Sequence, residues 1–465
     1  MNNHQDVLLR LFSPEGRANP YPFYSNLMER APVLPIGKNL AVVMGFQESV
    51  EVLLNTQLFP VPDRGYADRS WPGWQAHPST MLLYNSLLFL NPPENQPARR
   101  IVSRFFNPRR VKLMRPMIER HVAVHIDRLV ASDGSVDATQ SFTAVPNSVM
   151  GELLDIPQND VKQLMAWLDM FLERNELHPP DKRLPDADEA ASHLISYVRR
   201  HCSAGAADDA RLAGLLARDG AFDEQDIISN LVFVLSAGTV TTSSLLGSGM
   251  LQLAGDNDLL RQLRTDDALL RSFVLETLRH DPPIQYGARV AAKDTELGGL
   301  PIARDSLILV CLGALGRDPR RFSNPSDFVA DRFIAPGADA RDVLSFGLGT
   351  HRCAGSELAL VTAEIAFSQL ARRVEALATV SAPQRQNRTV VRRFSKLEVQ
   401  VSRGARGGST TPSGSVAAGR AGGHGGADHG GQINVGRAEI EVAARVRTKV
   451  EGACGVPPPR NGLVQ

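Results

Sequence analysis

The stretch Phe346-Gly347-Leu348-Gly349-Thr350-His351-Arg352-Cys353-Ala354-Gly355 constrains this chain more than any other segment. Glycines at 347 and 349 admit positive-φ backbone shapes that other residues avoid. Directly after Cys353 an apolar period of three and four residues begins, in SELALVTAEIAFSQLARRV, and reads as an amphipathic helix. A thiol just ahead of a helix N-terminus lies among free backbone N–H groups at the positive end of the helix dipole, which favours the thiolate. Gly355 lets a flat group approach the start of that helix. The other three cysteines, Cys202, Cys311 and Cys454, have no such setting, and no pair is spaced as CxxC.

Helical spacing dominates the first four hundred residues, in VKLMRPMIERHVAVHIDRLV and DDALLRSFVLETLRH as well as after Cys353. Strand-like pieces are few and short: NLAVVMG, ARVAAKDTELGGLPIARDSLILV and LEVQV. The expected fold is mainly α with small β-sheets, an α+β arrangement. Composition changes sharply near residue 402, where a run rich in Gly, Ser and Ala without apolar period begins. The expected division is a catalytic domain over 1–402 and a low-complexity, disordered extension over 403–465.

A net charge of +1 offers no electrostatic basis for a nucleic-acid partner. The N-terminal apolar stretch is short and interrupted by Arg10, so neither a signal peptide nor a membrane anchor is expected. Four cysteines in 465 residues suit a reducing compartment. The expectation is a cytoplasmic protein, acting as a monomer.

The cysteine string resembles the haem-binding signature of the cytochrome P450 family in full. The resemblance implies haem b, with Cys353 as the axial ligand to iron. It implies that Phe346 and Gly347 shape the proximal loop and that His351 meets a haem propionate. Three further segments resemble the family in its own order. Glu276-Thr277-Leu278-Arg279 matches the family's E-x-x-R signature, and Arg332 in FVADRF is its usual third member, together a structural network. LNPPENQPARRIVSRFFNPRRV resembles the C-helix region, which implies propionate contacts from Arg99 and from Asn95, standing where histidine is common. Arg289 matches another propionate-binding arginine, a role that suits a permanently charged, forked group.

FDEQDIISNLVFVLSAGTVTTSSLLGSGM reads as a long helix capped by Asp223. Leu231, Val234, Gly238, Thr241 and Leu245 are expected to line one face. By resemblance this helix crosses the distal face of the haem, with Gly238 making room for dioxygen and Thr241 hydrogen-bonding to it. Thr242 and Ser244 are candidate anchors for proton-carrying water. The family pattern has an acid before the threonine, and Val240 stands there instead. Valine neither carries a proton nor holds a water. Two outcomes stay open: ordinary hydroxylation or epoxidation with a water-built relay, or peroxide-driven oxidation, radical coupling or nitrogen-group transfer. A haem sensor without turnover is a third.

Trp71, Trp74 and Tyr84 fall in the region that roofs the substrate pocket in the family, and Ala237 and Val240 would line it from the helix; Phe171 and Leu177 are further candidates. The resemblance, spanning roughly residues 15–402, implies a medium-sized hydrophobic or aromatic metabolite from natural-product biosynthesis as substrate. No flavin, nicotinamide or iron–sulfur motif is present, so electrons are expected from an external ferredoxin and its NAD(P)H-dependent reductase.

Overall fold

In this computed structural model, residues 10–37, 39–131, 134–176, 184–205 and 211–403 are described. Eight helices of ten residues or more dominate them: α1 (Gln96–Phe105), α2 (Pro108–Ala131), α3 (Thr139–Leu153), α4 (Gln158–Leu172), α5 (Leu184–Gly205), α6 (Glu224–Gly255), α7 (Asp267–His280) and α8 (Ser356–Arg373). Polar caps set their starts. The Asp223 carboxylate accepts from the Asp226 amide at 2.8 Å and opens α6. Asp266 does the same for Leu269 at the head of α7, and Arg279 sits in its last turn, where positive charge suits the dipole.

Helix α6 is long and apolar enough to cross a membrane, but most of its length is buried in the protein. It is the central post of the largest hydrophobic cluster and packs on α3 and α8. Phe273 of α7 meets Phe367 of α8 edge-on, with ring centroids 5.1 Å apart.

Sheets occupy the margins. Strands β1 (Val33–Pro35) and β2 (Leu40–Val43) join β4 (Gly287–Val290) and β7 (Leu307–Val310) in the order β1-β2-β7-β4. Here β2 runs parallel to β7, pairing Leu40 with Leu307, and the other pairings are antiparallel. A second sheet has the order β3 (Ser135–Asp137), β11 (Glu398–Arg403), β8 (Val374–Thr379). Strand β11 continues through Arg403, whose guanidinium donates to the Val130 carbonyl at 2.6 Å. The proposed extension from 404 onward, Leu177 and Cys454 lie outside the described residues, as does the side chain of Cys202. Cys311 is a buried core residue.

Candidate active site

The loop before α8 folds back on itself through the Cys353 amide, which donates to the Phe346 carbonyl at 2.8 Å. Gly347 and Gly349 take φ of 65° and 66°, the left-handed values this tight path requires. Ser345 anchors the loop by donating to the Leu278 carbonyl at 2.6 Å. The Cys353 side chain keeps exposure within this loop, and Phe346 beside it packs on the main core. Burial pushes the Cys353 thiol up, while the Gly355 amide and the charges of Arg99 and Arg352 pull it down. Only a strong positive partner would outweigh that burial, which is what a metal ion supplies to a thiolate.

The residues around the loop fit haem. Buried side-chain atoms without a hydrogen-bond partner among the described residues include Asn95 Nδ2, Arg289 Nε and His351 Nε2. Each such donor costs free energy unless a ligand completes it. His351 is lowered to about 4 by burial and by the charges of Arg289 and Arg99, so these three groups are neighbours. Burial alone lowers Arg289 to about 10. Arg99 donates to the Arg352 carbonyl, and no carboxylate of the described residues bonds to Arg99 or Arg289. A cluster of cationic donors without anions suits two propionates.

Behind the loop, Glu276 and Arg279 form a two-pronged pair at 2.6 and 2.7 Å with neither side chain exposed. Arg332 joins Glu276 at 3.1 Å. The same carboxylate accepts from the Val329 amide, and Arg279 donates to the carbonyls of Pro325 and Asp327. The network thus fixes the segment 325–332 against α7.

Between Ile228 and Met250, α6 keeps exposure only at Phe233, Ala237, Gly238 and Thr241. Phe233, Ala237 and Thr241 recur every fourth residue and share one face. The Thr241 hydroxyl donates to the Ala237 carbonyl at 2.6 Å. Of the residues expected to share one face, Leu231, Val234 and Leu245 are buried and Gly238 and Thr241 keep exposure. Thr242, Ser244 and Val240 are buried too, Val240 at 6% exposure, because each residue turns about 100° from the last. A Cβ at Gly238 would lie 2.6 Å from the Met150 sulfur, the mobile end of a side chain from α3. Phe233 is the open-face residue that motif reading missed. Its only signal was its place two turns before Thr241.

The aromatic segment is used differently from expectation. Trp71 stacks on His77 at 5.1 Å and carries the Arg174 guanidinium 4.1 Å above its ring. Trp74 is buried, donates to Asp68 at 2.8 Å and packs on Tyr84. Tyr84 in turn packs on Phe89. These rings pin the loop to itself and to the turn after α4. Phe171 is likewise a core residue.

The cytochrome P450 family model matches residues 34–401. Cytochrome P450 BJ-3 of Bradyrhizobium diazoefficiens is 30% identical, with 85% of this chain and 96% of that protein aligned. The 6-deoxyerythronolide B hydroxylase of Saccharopolyspora erythraea is 30% identical over 77% of this chain and 89% of its own length. Among solved structures, CalO2 superposes with a TM-score of 0.75 at 26% identity, covering 85% of this chain and 99% of that one. The enzyme CxnD, for C–S bond formation in chuangxinmycin biosynthesis, superposes with a TM-score of 0.71 at 26% identity, covering 83% and 95%. Matched by the family model over residues 34–401 and by a relative at 30% identity along 85% of its length, the chain belongs to the cytochrome P450 family of oxidoreductases.

Proposed function

We propose that this enzyme hydroxylates or epoxidises a medium-sized hydrophobic or aromatic metabolite of natural-product biosynthesis, with dioxygen as oxidant. The open stripe of α6, Phe233, Ala237 and Thr241, carries the reading. It offers one aromatic, one small and one hydroxyl-bearing side chain, suited to an apolar substrate and a single polar event. The 6-deoxyerythronolide B hydroxylase, and CxnD of chuangxinmycin biosynthesis, support the substrate class.

Cys353 would hold haem b through its thiolate, and Arg99, Arg289, His351 and Asn95 would hold its propionates. The bound haem supplies the dioxygen-activating chemistry. Around it, Phe233 and Ala237 hold the substrate by apolar contact and limit water. Thr241 holds the one mobile proton on that face, its hydroxyl now given to Ala237 and free to rotate outward. Val240 contributes none, so protons reach Thr241 through water. Electrons come from an external ferredoxin-type protein and its reductase, in the cytoplasm.

The test is a panel of candidate metabolites scored by the change they cause in the haem absorption spectrum, followed by product analysis with ferredoxin and reductase. A spectral response with an oxygenated product supports the proposal. A binder converted without oxygen incorporation would favour the second reading, coupling or group transfer, which the buried Val240 and the C–S bond-forming relative motivate.

A further inference from the structure

Nine buried side-chain polar atoms lack a protein partner among the described residues. Three belong to Asn95, Arg289 and His351, the residues proposed to hold the haem, and three to Ser49, His280 and Arg317. The remaining three, Arg385 Nη1, Gln386 Oε1 and Arg388 Nη1, fall within four residues of one another in sequence. All three residues line a cleft, open to solvent, of about 310 Å³ between the N-terminal segment, Gln285–Tyr286 and the loop 385–392. Arg17 and Arg392 line it as well. None of these residues belongs to the haem cradle.

Guanidinium groups crowd this cleft. Arg385 and Arg392 share one buried carboxylate, Asp281, at 2.5 and 2.6 Å. Arg388 pairs with Glu173 at 2.9 Å. Arg17 donates to neutral groups, the Asn387 side chain at 2.6 Å and the Phe12 carbonyl at 2.8 Å, and feels the Glu176 carboxylate only at longer range. Glu176 itself accepts from the amides of Thr389, Val390 and Val391. Among the described residues, four guanidinium groups therefore meet three carboxylates here. Arg385 and Arg388 each hold a buried N–H that no described group accepts, and the Gln386 amide presents a third donor by a half-turn. Guanidinium forks in such a setting match the oxygens of a carboxylate or phosphate. The water-sized space inside the cleft is only about 10 Å³, so an anion would sit in the open mouth and direct a single oxygen inward.

We propose that this cleft binds the singly charged oxyanion head of a small molecule, a carboxylate or a phosphate. The site lies on the hairpin that carries Val391, which bridges to Ile284. It links the N-terminal segment to the C-terminal strands.

The haem-loaded protein is melted at constant ionic strength with increasing acetate, inorganic phosphate or chloride. Acetate or phosphate should raise the Tm with the logarithm of its concentration, by about 1–3 °C at ten times its Kd, and the tighter of the two identifies the head group. Arg17→Met and Gln386→Leu should each shift the concentration at which the rise begins about tenfold upward while the haem spectrum stays unchanged. No rise in the wild type beyond that of the chloride control would mean the cleft holds only water and would overturn the proposal. An equal rise with chloride, or one that both variants retain, would show an adventitious ion only and overturn it too.

Discussion

The Thr241 hydroxyl donates to the Ala237 carbonyl one turn back, at 2.6 Å, on the single open stripe of a helix that is otherwise buried through the core. A threonine bonded in this way keeps its hydroxyl within reach of the open face without unwinding the helix. The residue before it, Val240, is turned into apolar packing. Proton delivery on this face therefore depends on one hydroxyl.

Thr241→Ala should lower oxygenated product about tenfold and raise hydrogen peroxide released per NAD(P)H consumed, while Thr241→Ser restores most of the product. The general acid–base contribution at stake is about a hundred- to ten-thousand-fold, and water recovers part of it. Val240→Asp should leave product unchanged or increase it, at some loss of stability, because the new carboxylate enters apolar surroundings. Product formation indifferent to Thr241→Ala would show that the chemistry does not draw protons from α6 and would favour coupling or group transfer.

Cys353→Ala should abolish the strongly red-shifted carbon-monoxide band of thiolate-ligated ferrous haem. The Gly355 amide and the charges of Arg99 and Arg352 all favour the anionic sulfur, and no other described cysteine is placed to replace it. A wild-type band in this variant would exclude Cys353 as ligand.

Glu276→Gln should destabilise the fold by about 3–5 kcal/mol, since it leaves the unexposed Arg279 without its counter-charge. Urea unfolding with haem loading as a second readout checks this. A loss below about 1 kcal/mol would show that the carbonyls around Arg279 carry the charge by themselves.

Acid lability has a traceable source in His125, lowered to about 4 by burial first, then by Arg128 and His121. An unfolded histidine takes up its proton near 6.5. Between that value and about 4 the unfolded chain binds more protons than the folded one. Stability is thus full above pH 6.5 and falls as pH drops toward 4, by up to about 3 kcal/mol for this residue. His280 and His351 are lowered to about 4 as well. His125→Gln keeps a polar contact to Ser148, which His125 now meets at 2.8 Å, and should reduce the loss of stability between about pH 6.5 and 4. An unchanged slope would place the lability elsewhere.

What could be read from sequence was what the chain carries in one short run. The loop from Phe346 to Gly355 and the pair Glu276–Arg279 are local, with partners fixed by turn geometry and helical spacing. The position of Arg332 came only with the family resemblance, since nothing near it in sequence points to Glu276. The helix α6 was legible as an element, but its faces were not. A run with apolar or small residues all round has no hydrophobic stripe, so only its neighbours decide which side stays open. Met150 packs against Gly238, and Phe233 shares the open face with Ala237 and Thr241. The knot at Asp281 was equally hidden. Tyr21, Ser248, Arg385 and Arg392 all bond to it, yet they come from three distant parts of the chain.

The parallel pairing of β2 with β7 has a consequence for how the molecule is made. Leu40 leaves the ribosome early and Leu307 late, with most of the helical core between them. At roughly 5–20 residues per second, the interval lasts on the order of 15–50 s. Throughout it, the edge of β2 that faces β7 has no partner, and its apolar run Leu40-Ala41-Val42-Val43 is open to strands of other chains. Yield in the cell should therefore depend on how quickly translation passes residue 310, and slow codons placed between α6 and β7 should shift newly made protein from the soluble fraction into aggregates.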